Sequence, residues 1–254
     1  EGTDLDKLAL STEKLLAGTD SKITTVGYYC NPIQYAEHRK TLENVICTAG
    51  KFGATHVSTF AGAWEGKPVE SAYEEFGKVF RELADLAEEK GVKLGIENCL
   101  MDGTWEHATC NIGFNPKAWE VMFEEVKNDN FGLEWEPTHQ MVQLIDPVTE
   151  LRKWCKKIVH IHGKDATIDW DAVRHSGISG AVPFVWHRMP GFGDTNWRDI
   201  ISILRSNGYE DDICIEGYHD PVYSGELEMT GQLHALNYLK WCRGGEFTPT
   251  PWAK

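Results

Sequence analysis

VHIHGKD, residues Val159 to Asp165, is the stretch whose reading decides the fold. Ile158, Val159 and Ile161 are β-branched and mark a strand. Strand side chains alternate between faces, so His160 and His162 share one face while Val159 and Ile161 share the other. Two imidazoles on one face of a buried strand are either core histidines held by carboxylate or carbonyl partners, or members of a site. What the neighbouring strands carry decides between the two.

Outward from this strand, the chain alternates strand and helix. Upstream, the pattern predicts helix 4–16, strand 23–29, helix 37–52, strand 56–60, helix 69–90, strand 92–97, helix 116–126, strand 131–136 and helix 147–156. Downstream it predicts a long loop, Ala166 to Thr195, then helix 196–207, strand 212–216 and helix 227–242. Such alternation requires parallel strands joined by helical crossovers. Six strands are predicted, whereas a closed (β/α)8 barrel has eight, and the chain opens on a helix. The expected fold is therefore an α/β barrel of the TIM type with its first two strands missing from this sequence. A six-stranded open sheet is the alternative. One domain is expected over residues 1–254, with an irregular tail at 243–254.

The composition limits the partners. With 39 Asp and Glu against 25 Lys and Arg, the formal charge is −14, which repels a polyanion, and no basic patch offsets it. No apolar run spans a membrane and no stretch has a signal-peptide pattern. Seven cysteines, without paired spacing, suit reduced thiols in a cytoplasmic protein. The expected partner is a small molecule, with neither nucleic acid nor membrane, and self-association is left open.

The strand ends carry the chemistry. Glu97 ends VKLGIE, Glu136 ends FGLEWE before Pro137, His162 lies near the end of IVHIHGKD, and Glu216 ends DICIE. The carboxyl edge of a parallel sheet is where ligands bind, because loops there are free of packing duty. Three carboxylates converging without a cation would repel one another, and a divalent metal removes that cost. Three oxygen ligands with one imidazole suit Mn²⁺, Mg²⁺ or Co²⁺, with Mn²⁺ the first choice and Zn²⁺ the softer alternative. Glu134 and His160 project to the same side one layer lower and are expected to form a buried supporting pair.

GIEN around Glu97, EPTH at Glu136 to His139, HIHGKD around His162, RMPGFGD at Arg188 to Asp194 and CIEG around Glu216 together resemble the xylose isomerase-like (β/α)8 barrel family. That family includes sugar isomerases, sugar 3-epimerases and inosose-processing enzymes. The resemblance implies Glu97, Glu136, His162 and Glu216 as metal ligands and His139 as a contact to substrate. Glu136 stands where the family has Asp, so its extra methylene changes how the carboxylate reaches a metal.

The chemistry expected of this set is enediolate formation from a keto-sugar or related polyol ketone, with Glu97 and Glu216 as the acid and base. Proton return to the opposite face gives epimerisation, and return to the neighbouring carbon gives isomerisation. Loss of a β-substituent gives a lyase instead, such as an inosose dehydratase or a 3-keto-glycoside-cleaving enzyme. Lys164 is expected either to neutralise a developing oxyanion or to pair with Asp165, and Arg188 to bind substrate. His139 reads either as a substrate contact or as a surface loop histidine, and Trp64, Trp105 and Trp186 either stack on a sugar or pack their loops. A binding subunit inactive without a partner is the non-catalytic alternative, and the related apurinic-site endonucleases are disfavoured by the acidity.

Overall fold

A computed structural model describes residues 4–245 and 248–250, so the expected tail at 243–254 lies partly outside the described residues. The chain divides into two compact units: Glu1–His139 with Lys157–Ile161, and Gln140–Lys156 with His162–Lys254. No helix among the described residues is long and apolar enough to cross a membrane.

The first unit carries α1 (Leu5–Leu16), β1 (Thr25–Gly27), α2 (Ala36–Thr48), β2 (His56–Thr59), α3 (Tyr73–Glu89), β3 (Lys93–Glu97), α4 (Pro116–Glu125) and β4 (Phe131–Trp135). It also holds most of β5 (Ile158–Gly163) and the start of a short helix, α5 (Pro137–Met141). Strands β1 to β5 are parallel neighbours in chain order, as the alternation predicts. All five residues of β4 are buried, which is how a parallel strand covered on both faces behaves.

Helix α3 buries Phe76, Val79, Phe80, Leu83, Ala84 and Ala87, the stripe that helical spacing predicts. Phe76 stacks on Phe80 with centroids 4.6 Å apart, and both rings lie within 6.1 Å of the Phe131 ring on β4. Asn115 caps α4 by accepting from the Lys117 N–H at 2.9 Å, and Pro116 occupies the first turn, where a missing N–H is harmless.

One irregularity phases β5. Leu133 pairs with Ile158 but Glu134 pairs with His160, so Val159 is an extra residue bulged out of the ladder. Its methyls sit over two glycines that are themselves in register, Gly95 and Gly132. A Cβ at Gly95 would come within 3.2 Å of Val159 Cγ2, and one at Gly132 within 2.6 Å of Val159 Cγ1, besides overlapping the Lys157 carbonyl oxygen. The bulge brings His160, rather than Val159, opposite Glu134.

The second unit carries α6 (Pro147–Trp154), the end of β5, β6 (Asp165–Ile168), α7 (Trp170–Ser176), β7 (Val185–Arg188), α8 (Trp197–Ser206), β8 (Ile213–Ile215) and α9 (Glu228–Arg243). β8 lies beside β5, and the Glu216 N–H donates to the Gly163 carbonyl at 3.1 Å. The expected loop Ala166–Thr195 is largely structured. β6 and β7 pair antiparallel, Asp165 with Arg188 through Ile168 with Val185, and α7 lies between them. Each strand is only four residues long, too short for its alternation to stand out in the sequence. Asp165 anchors this arm, accepting backbone N–H groups of Ala166 at 2.8 Å, Thr195 at 3.0 Å and Gly191 at 3.2 Å. Burial raises its pKa despite those three bonds.

Candidate metal centre

In the first unit, the end of β3 is tied to the end of β4 through a buried amide. Asn98 Oδ1 accepts the Glu136 N–H at 2.7 Å and Asn98 Nδ2 donates to the Glu136 carbonyl at 2.9 Å. This clamp fixes the backbone of Glu136, which is wholly buried, beside Glu97, which is 7% exposed. A second amide works from a loop. Asn111, fully buried, donates to the carbonyls of Glu97 at 2.9 Å and Cys99 at 2.8 Å and accepts the N–H groups of Ala61 and Gly113.

His139 lies on α5, with Nε2 3.2 Å from Glu136 Oε1 and its side chain only 11% exposed. The surface-loop reading of this histidine is therefore wrong. Pro137 starts a helical turn, and a spacing of three residues puts Glu136 and His139 on one side of it. Glu97, Cys99 and His139 each offer a ligand atom, all within 4.8 Å of one another. One layer below, Glu134 accepts from Ser58 Oγ at 2.5 Å and Tyr29 OH at 2.9 Å, with His160 Nε2 at 3.8 Å, which is the buried pair that strand parity predicts.

In the second unit, Glu216 is held by a hydrogen bond at one oxygen and closely approached at the other. His162 Nδ1 is 3.0 Å from Oε2 and Lys164 Nζ is 2.7 Å from Oε1. The alternative partner for Lys164, Asp165, is taken up by backbone N–H groups instead. Lys164 is the more deeply placed member, its side chain 4% exposed against 29% for Glu216. Arg188, at the end of β7, directs Nε to Asp220 Oδ2 at 3.3 Å and lies 5.7 Å above the Phe192 ring. Asp220 is buried, which by itself would raise its pKa. The N–H groups of Tyr223, Met189 and Val222, with the Arg188 charge, hold it below the usual carboxylate range.

Of the three tryptophans, Trp105 donates Nε1 to Glu70 Oε1 at 2.5 Å and so ties its loop to the segment before α3, whereas Trp186 stands 44% exposed on β7.

The donors fit a divalent cation. Ligand atoms about 2.1 Å from an ion and at right angles to each other lie about 3 Å apart, and the His162 to Glu216 contact has that spacing at 3.0 Å. Carboxylate oxygens with imidazole nitrogen suit hard and borderline divalent ions. Sequence reasoning passed over Asn98, Asn111 and Cys99 as working residues. Asn98 carried a signal, since it directly follows a strand-end glutamate, but Asn111 sits in a loop without periodicity.

A family model described as a xylose isomerase-like TIM barrel matches residues 4–240. Among curated proteins, an inosose dehydratase of Clostridium tetani is 26% identical over 70% of this chain and 57% of its own length, so the chain spans less than two thirds of that relative. An inosose dehydratase of Clostridium perfringens is 22% identical over 86% of this chain and 73% of its own length. Among solved structures, the IOLI protein, crystallised with a bound zinc atom, superposes with a TM-score of 0.65 at 21% identity, covering 94% of this chain and 80% of that one.

Proposed function

Because the chain belongs to the xylose isomerase-like TIM barrel family, we propose that it is a lyase removing water from a cyclic polyol ketone of the inosose kind. Similarity to inosose dehydratases over 86% of the chain carries this reading and favours it over the isomerase or epimerase first expected from the strand ends. In this proposal Glu97, Glu136, His162 and Glu216 bind one divalent cation, with Mn²⁺ the first choice for a set of three carboxylates and one imidazole. When bound, the cation would polarise the ketone and stabilise negative charge on its oxygen.

The residues of the second unit supply the proton chemistry. The Lys164 ammonium, 2.7 Å from Glu216, keeps that carboxylate ionised, and so competent to take the proton α to the ketone. The electrons of the broken C–H bond form a double bond to the β-carbon, whose C–O bond breaks. The departing hydroxide takes a proton from Lys164 and leaves as water. Transfer of the captured proton from Glu216 to Lys164 across their contact restores both groups. His139 hydrogen-bonds a substrate oxygen, and Arg188, steadied by Asp220, binds a hydroxyl.

A second reading, epimerisation, is supported by the two glutamates on different strands: Glu97 would return the proton on the face opposite Glu216. Incubating the metal-loaded chain with inosose and a panel of ketoses in D₂O tests both. Enone absorbance with release of water is the result expected. Deuterium at the α-carbon without water loss would replace the lyase with the epimerase, and no exchange with any ketone would overturn both.

A further inference from the structure

We propose that Glu97, Cys99 and His139 form a separate site for a borderline-soft divalent cation, Zn²⁺ or Co²⁺, with Cys99 as its thiolate ligand. The site shares Glu97 with the four-ligand set and, when filled, takes His139 in place of the substrate contact proposed above; it stands on the geometry of the first unit, so it holds whether or not the lyase reading does.

Three observations carry it. One donor atom each of Glu97, Cys99 and His139 lies within 4.8 Å of the other two. Two ligands of a tetrahedral zinc ion, with bonds of about 2.0 to 2.3 Å, lie about 3.3 to 3.7 Å apart, so the set closes on an ion with side-chain adjustments of about an ångström. Three protein ligands leave a fourth position for water, the composition of an open zinc site.

The backbone beneath the site is built rather than incidental. Asn111, fully buried, donates to both the Glu97 and the Cys99 carbonyls, fixing the two residues relative to each other at the point where β3 ends. Its carbonyl oxygen is held in turn by the N–H groups of Ala61 at 3.0 Å and Gly113 at 2.9 Å, so the amide cannot rotate away.

Glu136 adds negative charge beside the third ligand, its Oε1 lying 3.2 Å from His139 Nε2, and that charge favours a cation at the ring. Cys99 is half-buried and in no disulfide. Thiolate prefers zinc and cobalt to magnesium or manganese, so Cys99 selects the ion.

Titrating the metal-stripped full chain with Co²⁺ tests this by optical absorption, because thiolate-bound Co²⁺ has a charge-transfer band in the near ultraviolet. The band is expected in the wild-type chain and in Glu216→Gln, which lies outside this site, and is lost in Cys99→Ser. In His139→Ala, Co²⁺ should bind at least ten-fold more weakly. Circular dichroism shows whether each variant is folded, and Cys99→Ala replaces Cys99→Ser if that variant is not. Absence of the band in the wild type, or its persistence in a folded Cys99 variant, would overturn the site. Loss of the band in folded Glu216→Gln would overturn its separateness and make Cys99 a ligand of the four-residue set.

Discussion

Glu216 is asked to do the most. Lys164 bonds one of its oxygens at 2.7 Å and His162 lies 3.0 Å from the other, so replacing it with Gln keeps the shape while leaving Lys164 without its counter-charge. Glu216→Gln is expected to lose most of its Mn²⁺ binding and to lower turnover by about 10²–10⁴-fold, the range for removing a general base. Elemental analysis and steady-state kinetics check the two effects separately. Asn98 tests positioning without touching the chemistry. Asn98→Ala leaves the Glu136 N–H and carbonyl without their side-chain partner, a loss of about 1–3 kcal/mol per buried polar group. At this scale the sequence was partly legible. Glu97, Glu136, His162 and Glu216 stand out because strands have a period of two and end at Pro, Gly or Asn. Of the two readings of Lys164, the pairing with Asp165 gives way to one with Glu216, which the sequence could not offer because that ion pair spans 52 residues.

The element that most constrains the site is β5. Its extra residue, Val159, sits in the hollow over Gly95 and Gly132 and sets the phase at which His160 meets Glu134. Gly132→Ala would press a methyl into the Lys157 carbonyl and Val159. The expected loss is about 1–3 kcal/mol, or roughly 2–12 °C in Tm for a domain of this size, read by thermal unfolding. The arm carrying Arg188 makes a different prediction, in acid. Asp220 has a lowered pKa in the folded chain, so it adds stability above the unfolded value of about 3.9. That stability is lost as pH falls through the depressed folded value, because the unfolded chain binds the proton more readily. Asp220→Asn should be less stable at pH 7 and lose less stability than the wild type on acidification below about pH 4, measured by urea unfolding across the acid range. Helices such as Tyr73–Glu89 were legible from their apolar stripe, whereas β6 and β7 were read as loop because four residues show too little alternation.

For the molecule as a whole, a shared cation would couple ligand binding to stability. A ligand that binds only the folded chain stabilises it by about 2.7 kcal/mol at a concentration one hundred times its Kd. Mn²⁺ should therefore raise the unfolding midpoint of the wild type, a chelator should reverse the rise, and the midpoint of Glu216→Gln should not respond to Mn²⁺. Equal midpoints with and without metal would remove the four-ligand site.

The parallel α/β class, the order of the strands and the residue types at their carboxyl ends were determined by the sequence alone. These are properties of spacing along one chain, where β-branching, a period of two and Gly or Pro breaks speak for themselves. Tertiary structure alone decided the partners. Asn111 reaches back 14 residues to hold Glu97, Lys164 chooses a glutamate on another strand, and the bulge at Val159 is seated by glycines on β3 and β4. Each depends on which backbones pack within hydrogen-bond or van der Waals reach. That distance is set by burial of the core around them, and no local pattern records it.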